Sequence, residues 1–284
     1  MPKVWRIVDL IQWSDSYFRE KSHQSPRLEI EWMLCSLLNC ERLDLYMRFD
    51  EPLSGSQLST LRGWVKRRSK NEPLQYITES CEFYGIEFFV DKRVLIPRPE
   101  TERLIDEAIK SIKHVRSPNI FDIGTGSGCI AITLAKEIEN SNVIGIDKSM
   151  MSLQVAKKNS AELNVDNVTF IEMDILNQYP KEKFDLVISN PPYVPKKEIP
   201  GLMKDVKDFE PEIALTDFDD GLTFYKRISK IIPNILKDDS SCILELGLGN
   251  HPEKVLSIFK ESGFSNMEIF DDYNGDKRVL SVKT

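Results

Sequence analysis

The sequence predicts an α/β chain: a doubly wound, mostly parallel sheet domain that follows a small α-helical bundle and a β-hairpin linker. Three observations carry this prediction. From about residue 94 onward, short apolar runs alternate with helix-length stretches, as parallel strands joined by crossover helices require. All four tryptophans (Trp5, Trp13, Trp32, Trp64) fall in the first 64 residues, yet only two of the thirteen glycines, Gly55 and Gly63, do. Charge divides the same way: residues 1–75 carry 12 Lys+Arg against 10 Asp+Glu, and the remainder carries 26 against 35. The first region is therefore +2 and the rest −9, within a chain of 284 residues and net charge −7. Two domains of different architecture explain all three, and the length agrees at about 150 residues per domain.

The expected boundaries are a bundle over 1–75, a hairpin over 76–93 and the α/β domain over 94–284. In the bundle, Trp5, Val8 and Ile11 recur at helical spacing, as do Leu28, Trp32, Cys35 and Leu38. Ser25-Pro26 before Arg27-Leu28-Glu29 reads as an N-cap with proline at the first helical position. Leu58, Leu61 and Val65 mark a further helix, opened by Ser54 or Ser56. Breaks at Asp50-Glu51-Pro52 and Asn71-Glu72-Pro73 give four or five helices and no catalytic constellation. The basic run Lys66-Arg67-Arg68 with Lys70 reads as a solvated helix face or, more sharply, as a docking surface for a protein substrate. Phe83-Tyr84-Gly85 followed by Phe88-Phe89-Val90 is a hairpin pattern of aromatic and β-branched residues around a glycine. Buried parallel strands are then expected at Asn119–Ile123, Asn142–Ile146, Val168–Met173, Phe184–Ser189 and Ser241–Leu246.

Composition narrows the function. No apolar run approaches the ~18–20 residues of a bilayer span, and Met1 to Arg6 leads into a polar stretch without a signal-peptide core. No membrane partner and a cytoplasmic location are expected. Five cysteines (Cys35, Cys40, Cys81, Cys129, Cys242) without CxxC spacing suggest neither a disulfide framework nor a zinc site. His23, His114 and His251 are scattered, so no metal triad is expected. Net negative charge disfavours nucleic acid as a partner, since that needs cationic surface to displace phosphate counterions.

The first motif is Phe121-Asp122-Ile123-Gly124-Thr125-Gly126-Ser127-Gly128-Cys129-Ile130-Ala131. It follows the first strand and opens a helix, where glycines let the backbone turn and free amides can face a ligand. Gly126, Gly128 and Ala131 also fit a dinucleotide fingerprint, so the loop alone leaves a nicotinamide dehydrogenase open. Asp147, 19 residues after Gly128, stands where a carboxylate accepts from both ribose hydroxyls of an adenosine-containing ligand. It also precedes a helix and can serve as its cap. Asp174 follows the third strand and reads as an adenine contact or as a solvated turn residue.

The second motif, Asn190-Pro191-Pro192-Tyr193, directly follows Phe184–Ser189. Two prolines stop the strand and hold a rigid turn without donors. The Asn190 side-chain carbonyl and the Pro191 backbone carbonyl are left as paired acceptors beside the Tyr193 ring. An NH2 group on a planar system suits such a cradle. Here the chain resembles class I S-adenosylmethionine-dependent methyltransferases that act on planar amino groups. More closely, it resembles the HemK/PrmC family of peptide chain release factor glutamine N5-methyltransferases. Pro73-Leu74-Gln75-Tyr76-Ile77, Phe83-Tyr84-Gly85, Leu95-Ile96-Pro97-Arg98-Pro99-Glu100-Thr101, Phe209-Glu210-Pro211 and Asp276-Lys277-Arg278-Val279 share in the likeness, which runs from about residue 26 to the end.

The resemblance implies a Rossmann-like fold with a seven-stranded sheet, S-adenosylmethionine as methyl donor, and class I release factors as substrates of a monomeric enzyme. Gly124, Gly126 and Gly128 would line the methionine part of the donor, Asp147 its ribose and Asp174 its adenine. Asp122, Thr125, Lys148, Ile175 and Asn190 would complete that set, with Arg98, Glu100 and Thr101 closing over it. Asn190, Pro191 and Tyr193 would be catalytic. They would hold the substrate together with Pro192 and Glu245, and Glu210 would order the loop after the motif. No histidine lies near the motif in the chain, and no general base is assigned. The alternatives are an adenine-N6 nucleic-acid methyltransferase, against which the −9 domain argues, and a cofactor-binding sensor, which would not need the amine cradle.

Overall fold

The computed structural model describes residues 4–21 and 23–284, so the Met1–Lys3 part of the amino-terminal reading lies outside the described residues. The chain forms two compact units, Met1–Glu79 with Lys204–Phe209, and Ser80–Met203 with Glu210–Thr284.

In the first unit five helices run in sequence: α1 (Ile7–Glu20), α2 (Pro26–Leu38), α3 (Arg42–Met47), α4 (Gly55–Arg68) and α5 (Leu74–Thr78). Ser25 is the N-cap residue of α2 and Pro26 its first helical residue, where a missing N–H costs nothing. Ser54 caps α4, accepting from the Gln57 amide at 3.3 Å, while Gln57 Oε1 accepts from the Ser54 amide at 2.8 Å. Ile7, Leu10, Ile11, Phe18, Ile30, Met33, Leu34 and Leu61 form one buried cluster. Each such side chain contributes roughly 1.5–3 kcal/mol by leaving water. The basic run is divided. Arg67 pairs with Glu72 at 2.6 Å and Arg68 with Glu29 at 2.8 Å, whereas Lys66 and Lys70 are exposed.

The second unit opens with the antiparallel hairpin β1 (Ser80–Phe83) and β2 (Ile86–Phe89), turned by Tyr84 and Gly85, both at positive φ. Two left-handed residues in succession match the twist of a tight hairpin. Phe83 and Phe88 bury in the same cluster as Leu104 and Ile105. Seven strands make the main sheet: β3 (Asn119–Ile123), β4 (Asn142–Asp147), β5 (Val168–Glu172), β6 (Phe184–Ser189), β7 (Leu236–Glu245), β8 (Met267–Asp271) and β9 (Lys277–Lys283). Their order is β5-β4-β3-β6-β7-β9-β8, and β9 alone runs against the others. Between them lie α6 (Glu102–Ile112) before β3, then α7 (Cys129–Glu137), α8 (Met150–Glu162), α10 (Glu212–Leu215), α11 (Thr223–Ile235) and α12 (His251–Glu261), while the short α9 (Lys204–Lys207) belongs to the first unit.

Successive strand residues face opposite layers. Ile120, Leu186, Ile188 and Ile243 pack with Leu104, Ile130 and Leu134, whereas Phe121, Val187, Cys242 and Leu244 pack with Tyr225, Ile228 and Phe259. A sheet covered on both faces reads as near-continuous apolar runs, which is why its strands were legible. The expected strand at Ser241–Leu246 starts earlier, at Leu236, with a pairing irregularity after Phe184. From β3 the chain proceeds to β4 and β5 on one side, then returns to β6 and β7 on the other. That reversal opens a crevice at the carboxyl ends of β3 and β6. The Ser189 hydroxyl donates to the Ile123 carbonyl at 2.7 Å and ties the two ends together.

Candidate active site

Both sequence motifs leave the sheet at this crevice. Gly124, Gly126 and Gly128 all have positive φ, and Gly128 stands at the head of α7 with φ 82°. A Cβ there would come within 3.0 Å of Ile132 Cδ1 and 3.1 Å of Ala156 Cβ and Phe170 Cζ, so glycine is demanded by packing as well as by conformation. The expectation of free amides does not hold for four residues of this loop. The Gly124 and Thr125 amides donate to the Ile146 carbonyl at 2.9 and 2.8 Å, Gly126 donates to Asp147 Oδ2 at 3.0 Å, and Gly128 donates to the Thr125 carbonyl at 2.8 Å. The loop fastens itself to the end of β4 because buried donors must be paired.

Asp147 holds the loop from that strand end, since its Oδ1 also accepts from the Ser149 amide at 2.8 Å. Burial raises its pKa despite those bonds. Ser149, and not Asp147, caps α8, accepting from the Ser152 amide at 3.2 Å. Asp174 closes its own turn on the Leu176 amide at 3.1 Å and pairs with Lys148 at 3.3 Å. A cavity of about 190 Å3 gathers Gly124, Gly126, Asp147, Lys148, Asp174, Ile175, Asn190, Pro191 and Pro192 in its walls. Ile146 and Met173 supply apolar wall beside the carboxylates, and Ile213 of α10, Phe218 and Phe224 of α11 add apolar wall from the segment after the second motif. Sequence reasoning did not single out these five. The signal available for Ile146 and Met173 was position alone, one residue before each strand-end aspartate.

Asp122, Thr125, Gly128, Arg98, Glu100, Thr101, Tyr193 and Glu245 do not line that cavity. Asp122 is fully buried, and the Thr125 hydroxyl and the Ala131 amide are the polar groups that offset part of its desolvation. Arg98 pairs with buried Glu210 at 2.6 Å, joining the Ile-Pro-Arg-Pro stretch to the loop beyond the second motif. Thr101 instead meets the motif from behind. Its Oγ1 accepts from Asn190 Nδ2 at 3.1 Å and donates to Glu245 Oε2 at 2.6 Å. The Tyr193 hydroxyl donates to the other oxygen, Oε1, at 3.3 Å.

Tyr193 belongs to a second, open groove of about 780 Å3, lined also by Lys196, Lys197, Phe218, Leu248, His251 and Lys254. The absence of histidine near the motif holds along the chain but not in space. The His251 ring lies 5.9 Å from that of Tyr193. Its Nδ1 accepts from the Gly247 amide at 3.1 Å and its Nε2 donates to the Gly221 carbonyl at 3.3 Å. Burial lowers its pKa, and with both nitrogens engaged it buttresses the loop.

A seven-stranded sheet with one reversed strand and a glycine loop at the switch point defines a class I methyltransferase. Residues 115–265 match a methyltransferase domain. The catalytic domain of hMettl16, solved in complex with the MAT2A 3′UTR hairpin 6, shares the fold with a TM-score of 0.57 at 17% identity over 81% of this chain and 82% of its own. Residues 9–78 match the PrmC N-terminal domain. The release factor glutamine methyltransferase of Geobacter sulfurreducens is 39% identical over 98% of this chain and 97% of its own. That of Fusobacterium nucleatum is 37% identical over 97% of this chain and 78% of its own. The chain belongs to the release factor glutamine methyltransferase family, as the sequence resemblance implied.

Proposed function

We propose that this chain transfers the methyl group of S-adenosylmethionine to the side-chain amide nitrogen of the glutamine in the Gly-Gly-Gln motif of peptide chain release factors, in support of translation termination. One observation carries the reading: Asn190, Pro191 and Pro192 form a wall of the cavity holding Gly124 and Asp147, while Tyr193, the next residue, turns into the adjoining groove. The amine cradle therefore stands where a donor in the cavity and a peptide in the groove would meet.

The cavity suits the methyl donor. Asp147 and Asp174 offer acceptors to hydroxyl and amino groups, Ile146, Met173 and Ile175 offer apolar surface to a flat base, and Gly124 and Gly126 leave room for close approach. Bound there, S-adenosylmethionine supplies an electrophilic methyl on a sulfonium sulfur. The chain's own task is alignment. Asn190 Oδ1 and the Pro191 carbonyl accept the two N–H bonds of the substrate amide. They turn its nitrogen toward the methyl and favour positive charge developing on it. Tyr193 flanks the amide plane. The methylated nitrogen is strongly acidic and sheds its proton after transfer, so no general base is needed. The reading includes a protein rather than a nucleic-acid substrate, a monomeric enzyme and a cytoplasmic location. The −9 charge of the catalytic region supports the first, and among the described residues no helix is long and apolar enough to cross a membrane.

The test is mass spectrometry of an unmethylated release factor after incubation with the protein and S-adenosylmethionine. One added methyl on the Gly-Gly-Gln glutamine is expected, and none overturns the reading. Asn190→Ala should keep donor affinity nearly intact while turnover collapses. Asp147→Ala should weaken donor binding by about 1–3 kcal/mol through lost charge-assisted hydrogen bonds. Equal loss of binding and turnover in the Asn190 variant would refute this division of labour.

A further inference from the structure

An asparagine can cradle an amine only if its carbonyl, and not its NH2, faces the substrate. A flipped Asn190 would set donor against donor. Nothing in Asn190 itself selects the productive orientation, because the two ends of a primary amide are nearly the same size.

We infer that Thr101 and Glu245 are positioning residues: together they fix the direction of the Asn190 amide and anchor the Tyr193 hydroxyl. This inference rests on the proposed cradle, in which Asn190 Oδ1 accepts from the substrate. A threonine hydroxyl carries one hydrogen. With Thr101 Oγ1 2.6 Å from Glu245 Oε2, that hydrogen goes to the carboxylate, which is acceptor-only when ionised. Thr101 Oγ1 must then accept at its 3.1 Å contact with Asn190, so Nδ2 is the end held there and Oδ1 is the end left for substrate. The other carboxylate oxygen takes the Tyr193 hydroxyl. One group at the end of β7 thus sets both sides of the cradle. Glu245 is 1% exposed and Thr101 2% exposed, so water does not compete for either. They come from positions 144 residues apart and do not themselves line the donor cavity, which is why spacing in the sequence could not connect them.

The direction of such a chain depends on the charge at its end. A protonated Glu245 can donate to Thr101, whose hydrogen then turns toward Asn190 and no longer demands Nδ2. Burial pushes the Glu245 carboxyl up to about 7. The hydroxyls of Thr101 and Tyr193 and the positive charge of Arg278 on β9 oppose that rise, while Glu100 adds to it. Tyr225 on α11 donates to the residue's backbone carbonyl at 2.6 Å, and its hydroxyl also feels the carboxylate's charge. The sign follows: the productive orientation is held above the carboxyl's pKa and released below it, so turnover should rise with pH through about 7.

The experiment compares Thr101→Val, which keeps shape and removes the hydroxyl, with Thr101→Ser, which keeps the hydroxyl, on the full chain with a release factor as substrate. The Val variant should lose about 10- to 100-fold in kcat, the range for groups that orient a working contact. Its donor Kd should change less than about threefold, and the Ser variant should recover most of the turnover. A Val variant within about threefold of the parent, or a Ser variant as impaired as the Val variant, overturns the inference. If Asn190→Ala itself retains turnover, the cradle fails instead, and the two failures are distinct. Should Thr101→Val not fold, the parent's pH profile decides: turnover constant from pH 6 to 8.5 overturns the inference, and an acid limb that Glu245→Gln removes supports it.

Discussion

Asp122 is a carboxyl group in an apolar strand, 0% exposed, with the Thr125 hydroxyl and the Ala131 amide to offset part of its burial. An ion there is costly, so burial pushes its pKa up to about 7. The native chain then holds this proton to a higher pH than the unfolded chain does. Between about pH 4 and 7 the folded state binds more protons, and stability falls as pH rises through that window. Asp122→Asn should abolish this part of the dependence and unfold about 4 °C or more above the parent at pH 8, with little difference near pH 4. Thermal melts at both pH values check it, and an equal difference at the two would show that Asp122 does not titrate in the window. Its place in the strand was readable from Phe121-Asp122-Ile123. Its complete burial was not, because that is fixed by neighbouring strands rather than by neighbours in the chain.

Ionic contacts within elements can be weighed the same way. Arg68 of α4 and Glu29 of α2 are 13% and 12% exposed, joined by two bonds of 2.8 Å. Removing the guanidinium leaves a mostly buried carboxylate, and Arg68→Ala should cost on the order of 2 kcal/mol, between the values for exposed and buried pairs. Lys66→Ala, at an exposed position, should leave the denaturation midpoint nearly unchanged. Half of the basic run therefore braces the bundle, which a reading by charge alone could not separate from a docking face. Elsewhere legibility followed periodicity. β3 and β6 were expected residue for residue, and the cap at Ser54 was visible as a residue type that satisfies an open helix end, whereas Ser25 stands at the N-cap position without a side-chain bond to the helix. β8 and β9 were not singled out: Met267-Glu268-Ile269-Phe270 is only partly apolar, and its register depends on β9. The donor cavity was half legible. Its glycines and aspartates stand at strand ends, whereas Ile213 on the one-turn α10, Phe218 in the loop after it and Phe224 in the first turn of α11 follow no period that points to a site.

For the chain as a whole, the division of charge between residues 1–75, at +2, and the remainder, at −9, bears on partner choice. Polyanions should find little purchase on the catalytic region. Heparin or a mixed oligonucleotide at about 150 mM salt should leave methylation of a release factor within about twofold, since affinity for such chains scales with neutralised phosphates. Strong inhibition would point instead to a cationic groove. The sheet also carries a consequence in time. β9 lies between β7 and β8, so the β8–β9 hairpin, its turn laced by Asp272 to the amides of Asn274 and Asp276, must dock as a unit. In the docked hairpin the Leu246 amide donates to the Arg278 carbonyl at 2.7 Å and Arg278 Nη1 donates to the Leu246 carbonyl at 3.0 Å, one residue beyond Glu245. Whenever this hairpin lifts away, the rear support of the amine cradle goes with it. A local opening confined to this hairpin would therefore cost turnover while the parallel part of the sheet stays paired.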